Sequence, residues 1–157
     1  MFVGHLPGGY LAARALWGRN QRTLIIATMV GSVLPDIDML WFHLVDHGTV
    51  HHHTYLTHRP ALWAGIALLG LVLRKHVILA LGLGGLVHMV LDSVVGAIAW
   101  GWPVSDAARP LVTVPATHAN WIFSFLTHWT FLVEIGLTLI AIGLAVMTYR
   151  STKKGGT

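Results

Sequence analysis

Cysteine is absent from the sequence. That excludes disulfides and thiolate ligands, so any bound metal must be held by nitrogen and oxygen. Charge is scarce: Asp, Glu, Lys and Arg make up 10% of the 157 residues, against about a quarter in an ordinary soluble domain. Polar linkers, low-complexity tracts and internal repeats are missing, so the chain reads as one domain over residues 1–157. Met1 to Tyr10 has no basic n-region and no A-x-A-like site follows an apolar run, so a cleaved signal peptide is not expected. The net charge is +4, but the cations are scattered in twos and threes rather than massed, which argues against a nucleic-acid partner.

Apolar residues fill the space left by charge, at 55% of the chain with a mean hydropathy of +0.68. The clearest expected span is Trp121–Tyr149, where His128 and Glu134 are the only ionisable residues. Val77–Trp102 reads as a second, Leu24–Phe42 as a third interrupted by Pro35, and Pro60–Leu73 as a short fourth. Pro7–Trp17 is too short to cross alone and reads as a short or re-entrant helix. The expected fold is therefore all-α, a polytopic transmembrane bundle of about four main spans with an extra N-terminal helix, in contact with membrane lipids. Seven tryptophans, mostly near span ends, suit an aromatic belt.

Alternating crossings place eight of the ten basic residues, Arg14, Arg19, Arg22, Arg74, Lys75, Arg150, Lys153 and Lys154, on one side. The positive-inside rule makes that side cytoplasmic, with the C-terminus, and puts the loops near 43–59 and 101–119 outside.

Ionisable groups within apolar runs are costly, so they pair, face a cavity or bind an ion. His88 and Asp92 stand four apart, on one helical face. They can chelate one ion or fasten two helices by a hydrogen bond. Asp36 and Asp38 follow Pro35 where irregular backbone can line a cavity, and a divalent cation would relieve their repulsion. Next comes a dense run, His43, Asp46, His47, His51, His52, His53 and His58, which holds more donors than one site needs. His5 precedes a Pro-Gly-Gly turn that can bring it against this cluster. His76 reads as interfacial, His118 is left open, and His128 and Glu134, six apart and so on different faces, read as outer or water-binding groups.

In this order His5, Pro35-Asp36-x-Asp38, His53-x-x-x-Thr57-His58-Arg59, His88-x-x-x-Asp92 and Gly101-Trp102-Pro103 resemble the YdjM-type family of inner-membrane metal-dependent hydrolases, over roughly residues 1–105. That family is in turn distantly similar to zinc-dependent phospholipases C, whose multinuclear zinc sites cleave phosphodiesters. The resemblance implies His5, Asp36, Asp38, His53, His58, His88 and Asp92 as metal ligands or site residues, with His51 and His52 as alternates. The implied metal is zinc, with manganese or iron as other divalent choices, and one or more ions.

Asp36 or Asp38 would handle the proton of a metal-activated water, and Arg59 would neutralise phosphate on a lipid-borne phosphoester substrate. Two departures stand out. Thr54 occupies a position where the family usually has a basic residue, and His128 with Glu134 does not reproduce the His-x-x-x-Glu pair of the soluble phospholipases.

Two rival readings exist. His47-x-x-x-His51-His52-His53 resembles one histidine box of a membrane di-iron oxygenase or desaturase, enzymes that need several such boxes. A metal transporter would string its donors along a path, whereas here they gather toward one side. The absence of H-E-x-x-H argues against a zinc protease.

Overall fold

A computed structural model describes residues 3–154 of the chain, and Met1 and Phe2 of the N-terminal stretch lie outside them. Seven α-helices are found among the described residues: α1 His5–Trp17, α2 Arg22–Gly31, α3 Asp38–Leu44, α4 Pro60–Val72, α5 His76–Asp92, α6 Trp121–Leu126 and α7 Trp129–Lys154. No strand forms among them beyond one isolated bridge, Ile98 with Arg109.

The central element is α5, packed against α2, α4 and α1, while α7 lies along α1. Its glycines explain how it gets so close. A methyl group on Gly84 would overlap the Thr28 carbonyl of α2, and one on Gly85 would overlap the Trp63 ring of α4. Close backbone approach by small residues is how helices associate where lipid removes the usual hydrophobic drive. Trp63, Met89 and Ile98 form the apolar centre beside this crossing. Replacing Gly84 by Leu is expected to cost at least about 1–3 kcal/mol, the usual overpacking penalty, because the obstacle is backbone and cannot rotate away. A lowered thermal midpoint of the detergent-solubilised variant would check this.

The Leu24–Phe42 run is helical but bent by 48° between α2 and the Leu34–Leu44 segment. Pro35 has no N–H to donate, and a 3-10 turn over Leu34–Ile37 takes the place of a regular helical turn. Asp36 N–H bonds to the Val33 carbonyl rather than to that of Ser32, so the Ser32 carbonyl is released for another partner.

Two expected spans are shorter than the sequence suggests. The Val77–Trp102 run stops being helical at Asp92. Beyond it the Ser93 and Val94 carbonyls turn outward to accept Leu111 and Val112 N–H, and residues 93–102 form turns. The Trp121–Tyr149 run is broken at Thr127 and His128, where the Thr127 hydroxyl bonds back to the Phe123 carbonyl and α6 ends. Pro60 opens α4 at its first position, as expected.

Among the described residues one helix, Trp129–Ser151, is by itself long and apolar enough to cross a membrane. The bent α2–α3 pair qualifies only if counted as one span, and α4 and α5 are apolar but shorter. Many large apolar side chains on these helices are exposed, including Leu69, Leu71 and Val72 on α4 and Leu132, Leu139 and Ile140 on α7.

Chain direction sorts the ionisable groups. The start of α1, the bend after α2, the start of α4, the end of α5 and the start of α7 share one end of the bundle, where the acids and histidines collect. Arg19, Arg22, Arg74 and Lys75 lie at the other end, where Arg19 reaches Ser151 near the close of α7.

Candidate metal centre

Four elements converge on one point. Asp36 comes from the bend, His58 from a 3-10 turn just before α4, and His88 and Asp92 from the last turns of α5. Each offers a ligand atom, and all four atoms lie within 4.8 Å of one another. His58, His88 and Asp92 are buried, whereas the Asp36 side chain is 40% exposed.

Hydrogen bonds on the far side of each imidazole define which nitrogen faces the centre. His88 Nδ1 is 2.8 Å from the Ser32 carbonyl released by the bend. A carbonyl can only accept, so Nδ1 carries the proton and Nε2 presents its lone pair. His58 Nδ1 donates to Asp38 Oδ2 at 2.6 Å, so Nε2 is the nitrogen that faces the centre and offers a lone pair once its proton is displaced. Thr57 donates to the same Asp38 oxygen and holds the carboxylate in place. Carboxylate and carbonyl partners of this kind are the usual outer support of metal-binding histidines.

The two Nε2 atoms face each other at 3.3 Å. Asp92 Oδ2 is 3.0 Å from His88 Nε2 and 3.5 Å from His58 Nε2, and Asp36 Oδ1 is 3.6 Å from both. Four acceptor atoms pointed inward repel unless a cation lies between them. Ligands held about 2.0–2.1 Å from a tetrahedral zinc ion are roughly 3.3–3.4 Å apart, close to the 3.0–3.6 Å spacings found here. The nitrogen and oxygen donor set also suits manganese or iron.

The other anticipated residues divide into two groups. His5 is brought in, but beside the four: its Nε2 is 3.0 Å from Asp92 Oδ1 and its Nδ1 is 3.4 Å from Asp36 Oδ2. It also stacks on His88 at 3.8 Å between ring centroids. His5 thus joins the outer oxygens of both acids. His53 approaches Asp92 Oδ2 at 3.4 Å, in space that exists because residue 96 is glycine. With His52 and His58 it forms a second group able to hold an ion. His53 Nδ1 and Asp38 Oδ1 are buried without a hydrogen-bond partner, and such groups call for a partner such as an ion or water.

Arg59 faces away from the four donors. It donates to the Thr54 carbonyl and pairs with Asp106 at 3.2 Å, on the wall of a cavity shared with His51 and His53. His43 packs on Phe42, Asp46 accepts from Tyr55, and His118 and His128 bond to Ser124 and Thr130.

In the loop, burial holds the His52 pKa down to about 4, helped by neighbouring His53 and His58, so it is neutral. His58 goes the other way. Burial alone would lower it, but hydrogen bonds to Asp36, Asp38 and Asp92 outweigh that and raise it to about 10. Three carboxylates around one imidazole make a site that demands positive charge, whether from a proton or a metal.

Two supports were not singled out from sequence as such. Ser32 supplies the carbonyl for His88, and its hydroxyl donates to the His5 carbonyl at 3.0 Å. Glu134, read only as an outer group, is fully buried on α7 and accepts from the Val3 and Gly4 N–H groups at 2.6 and 2.9 Å. A carboxylate at the start of α1 also opposes the helix dipole, so Glu134 anchors the helix that carries His5. The proline after Ser32 and the solitary acid in the final apolar run were the available signals.

The fold and site together define a helical protein with exposed apolar faces and a buried His/Asp cluster able to bind a metal ion. The family model of YdjM inner membrane protein matches residues 1–154, and the chain belongs to that family. No curated protein and no solved structure matches it.

Proposed function

We propose that this protein is a membrane-embedded, metal-dependent hydrolase that acts on the phosphoester of a lipid-borne substrate. The observation that carries this reading is the convergence of Asp36, His58, His88 and Asp92 on one point, with both imidazoles held at Nδ1 and turned inward at Nε2. A bound divalent ion supplies a Lewis acid and a water whose pKa is lowered from about 15.7 towards 7. Zinc is the proposed ion, with one or more bound.

The residues divide the remaining work. Asp36 is the exposed member of the four and borders a cavity of about 380 Å³ that also reaches His52, His53, Asp92 and Trp121. It is the group placed to take a proton from water in that cavity. Asp38 acts through His58, whose proton it holds. Arg59 stands at the neighbouring cavity with a partner, Asp106, that is 78% exposed and therefore only weakly held. An arriving phosphate can compete for that guanidinium.

The four-span bundle, with α4 and α5 as short or tilted crossings and the C-terminus cytoplasmic, belongs to this proposal. It is supported by the exposed apolar faces and by the gathering of basic side chains at the end remote from the site.

The test is phosphodiester hydrolysis by protein in lipid nanodiscs, with bis(p-nitrophenyl) phosphate and a fluorescent glycerophospholipid as substrates. Zinc-dependent turnover of the lipid, lost in Asp36→Asn together with part of the zinc affinity and not restored at saturating zinc, is the expected result. Full zinc occupancy with no cleavage of either substrate would overturn the hydrolase reading while leaving the metal centre standing.

A further inference from the structure

A groove of about 720 Å³ lies between α1, α2 and α7, with His5 and Asp36 at its head. Its walls are Leu6, Tyr10, Met29, Val33, Thr138 and Ile142. Below His5 and Asp36 none of these is an acid, a histidine or a basic residue. From the level of Glu134, where the start of α1 is held, to Ile142 the groove follows α7 for about 12 Å.

Water is a poor occupant for this space. A buried water needs two to four polar partners, and the walls offer only two hydroxyls, each already in one hydrogen bond. Tyr10 accepts from Arg14 at 2.8 Å, and Thr138 donates to the Glu134 carbonyl at 2.8 Å. A hydrocarbon chain satisfies the walls through dispersion contacts alone. The volume is that of a small-molecule site. One side is formed by α7, which is long and apolar enough to cross a membrane and whose outer side chains, such as Leu139 and Ile140, are exposed. The groove is therefore open to bilayer lipid along its length and ends on two residues of the metal centre.

We infer that this groove holds one acyl chain of a membrane glycerophospholipid, oriented so that its headgroup end lies toward Asp36 and His5. The inference rests on the reading of the centre as acting on a lipid-borne phosphoester, and adds where the lipid's chain is gripped. Chain anchorage at Leu6, Met29 and Ile142 explains how a bulky headgroup is presented to a buried cluster without the lipid leaving the bilayer. The groove thereby selects for long apolar tails, and a soluble phosphodiester would lack this contact.

The experiment uses the full chain in phosphatidylglycerol nanodiscs containing a small fraction of phosphatidylglycerol with a diazirine in one acyl chain. After irradiation, adducts are mapped by peptide mass spectrometry, and the zinc content of the same discs is measured. Adducts on Leu6, Tyr10 and Met29 should exceed those on the outward Leu139 and Ile140 several-fold. Ile142→Trp, which fills the groove, should reduce them several-fold, whereas Leu139→Trp should not, and both variants should retain zinc as a sign of intact folding. Adducts spread evenly around α7 and indifferent to Ile142→Trp, in discs that hold zinc, would overturn the inference and leave the metal centre in place. Groove-directed adducts in discs that hold no zinc would sustain the lipid site and remove the hydrolase reading instead.

Discussion

Replacing Asp92 by Asn should abolish metal binding, with affinity lowered by more than the roughly 10–100-fold typical of losing an outer support. Four histidines depend on this carboxylate: His5 on one oxygen and His53, His58 and His88 on the other. The amide keeps the shape but not the charge, and it offers N–H donors to nitrogens that need an anion or a cation. Because Asp92 is almost completely buried, water cannot make up the loss. Titration of apo protein with zinc, followed by competition with a chelator of known strength, measures the effect directly. The companion variant Gly96→Ala crowds the His53 ring and the Asp92 backbone carbonyl but leaves the carboxylate's charge in place, and should weaken binding less.

The second large effect is on pH dependence. In the metal-free protein His58 is held protonated, with its pKa raised to about 10 by the surrounding acids. Metal binding must therefore expel a proton at any pH below that value. The sign follows: apparent affinity should rise by roughly tenfold per pH unit as pH increases from 7 towards 9, because each step lowers the cost of deprotonating one ligand. Asp38→Asn should flatten this slope and also lower affinity by about 10–100-fold, since it removes the acceptor that orients His58. A pH series of isothermal titrations, repeated in buffers of different ionisation enthalpy, counts the proton released. A zero count at pH 7 would contradict the arrangement around His58.

The site was legible in the sequence where ligands share a local period or a breaker. His88 and Asp92 stand one helical turn apart, and the structure keeps them 3.0 Å apart at the centre. Asp36 and Asp38 follow the proline that bends the helix, and they take different parts: one faces the centre and the other supports His58. Within the His51–His53 run, spacing alone could not tell which imidazoles turn inward, because that depends on the turns before α4 and on the space left by Gly96.

The helices were less legible than the ligands. Hydropathy carried the expected Val77–Trp102 span straight through Asp92, but the carbonyls that follow are used by residues 111 and 112, a pairing no local pattern reveals. The Ser32 carbonyl and the Glu134 anchor on the start of α1 are likewise long-range contacts of ordinary residues.

The central claim is that Asp36, His58, His88 and Asp92 hold a metal ion, and metal content tests it most directly. Detergent-purified protein should be analysed by elemental mass spectrometry alongside His88→Ala and Asp92→Ala, each checked for retained helicity and monodispersity. The account requires near-stoichiometric zinc, or another divalent metal, in the parent protein and its loss from both variants. A parent protein that stays metal-free after supplementation with zinc, manganese and iron would contradict it and return His88 and Asp92 to structural hydrogen bonds that tie α5 to Ser32 and His5.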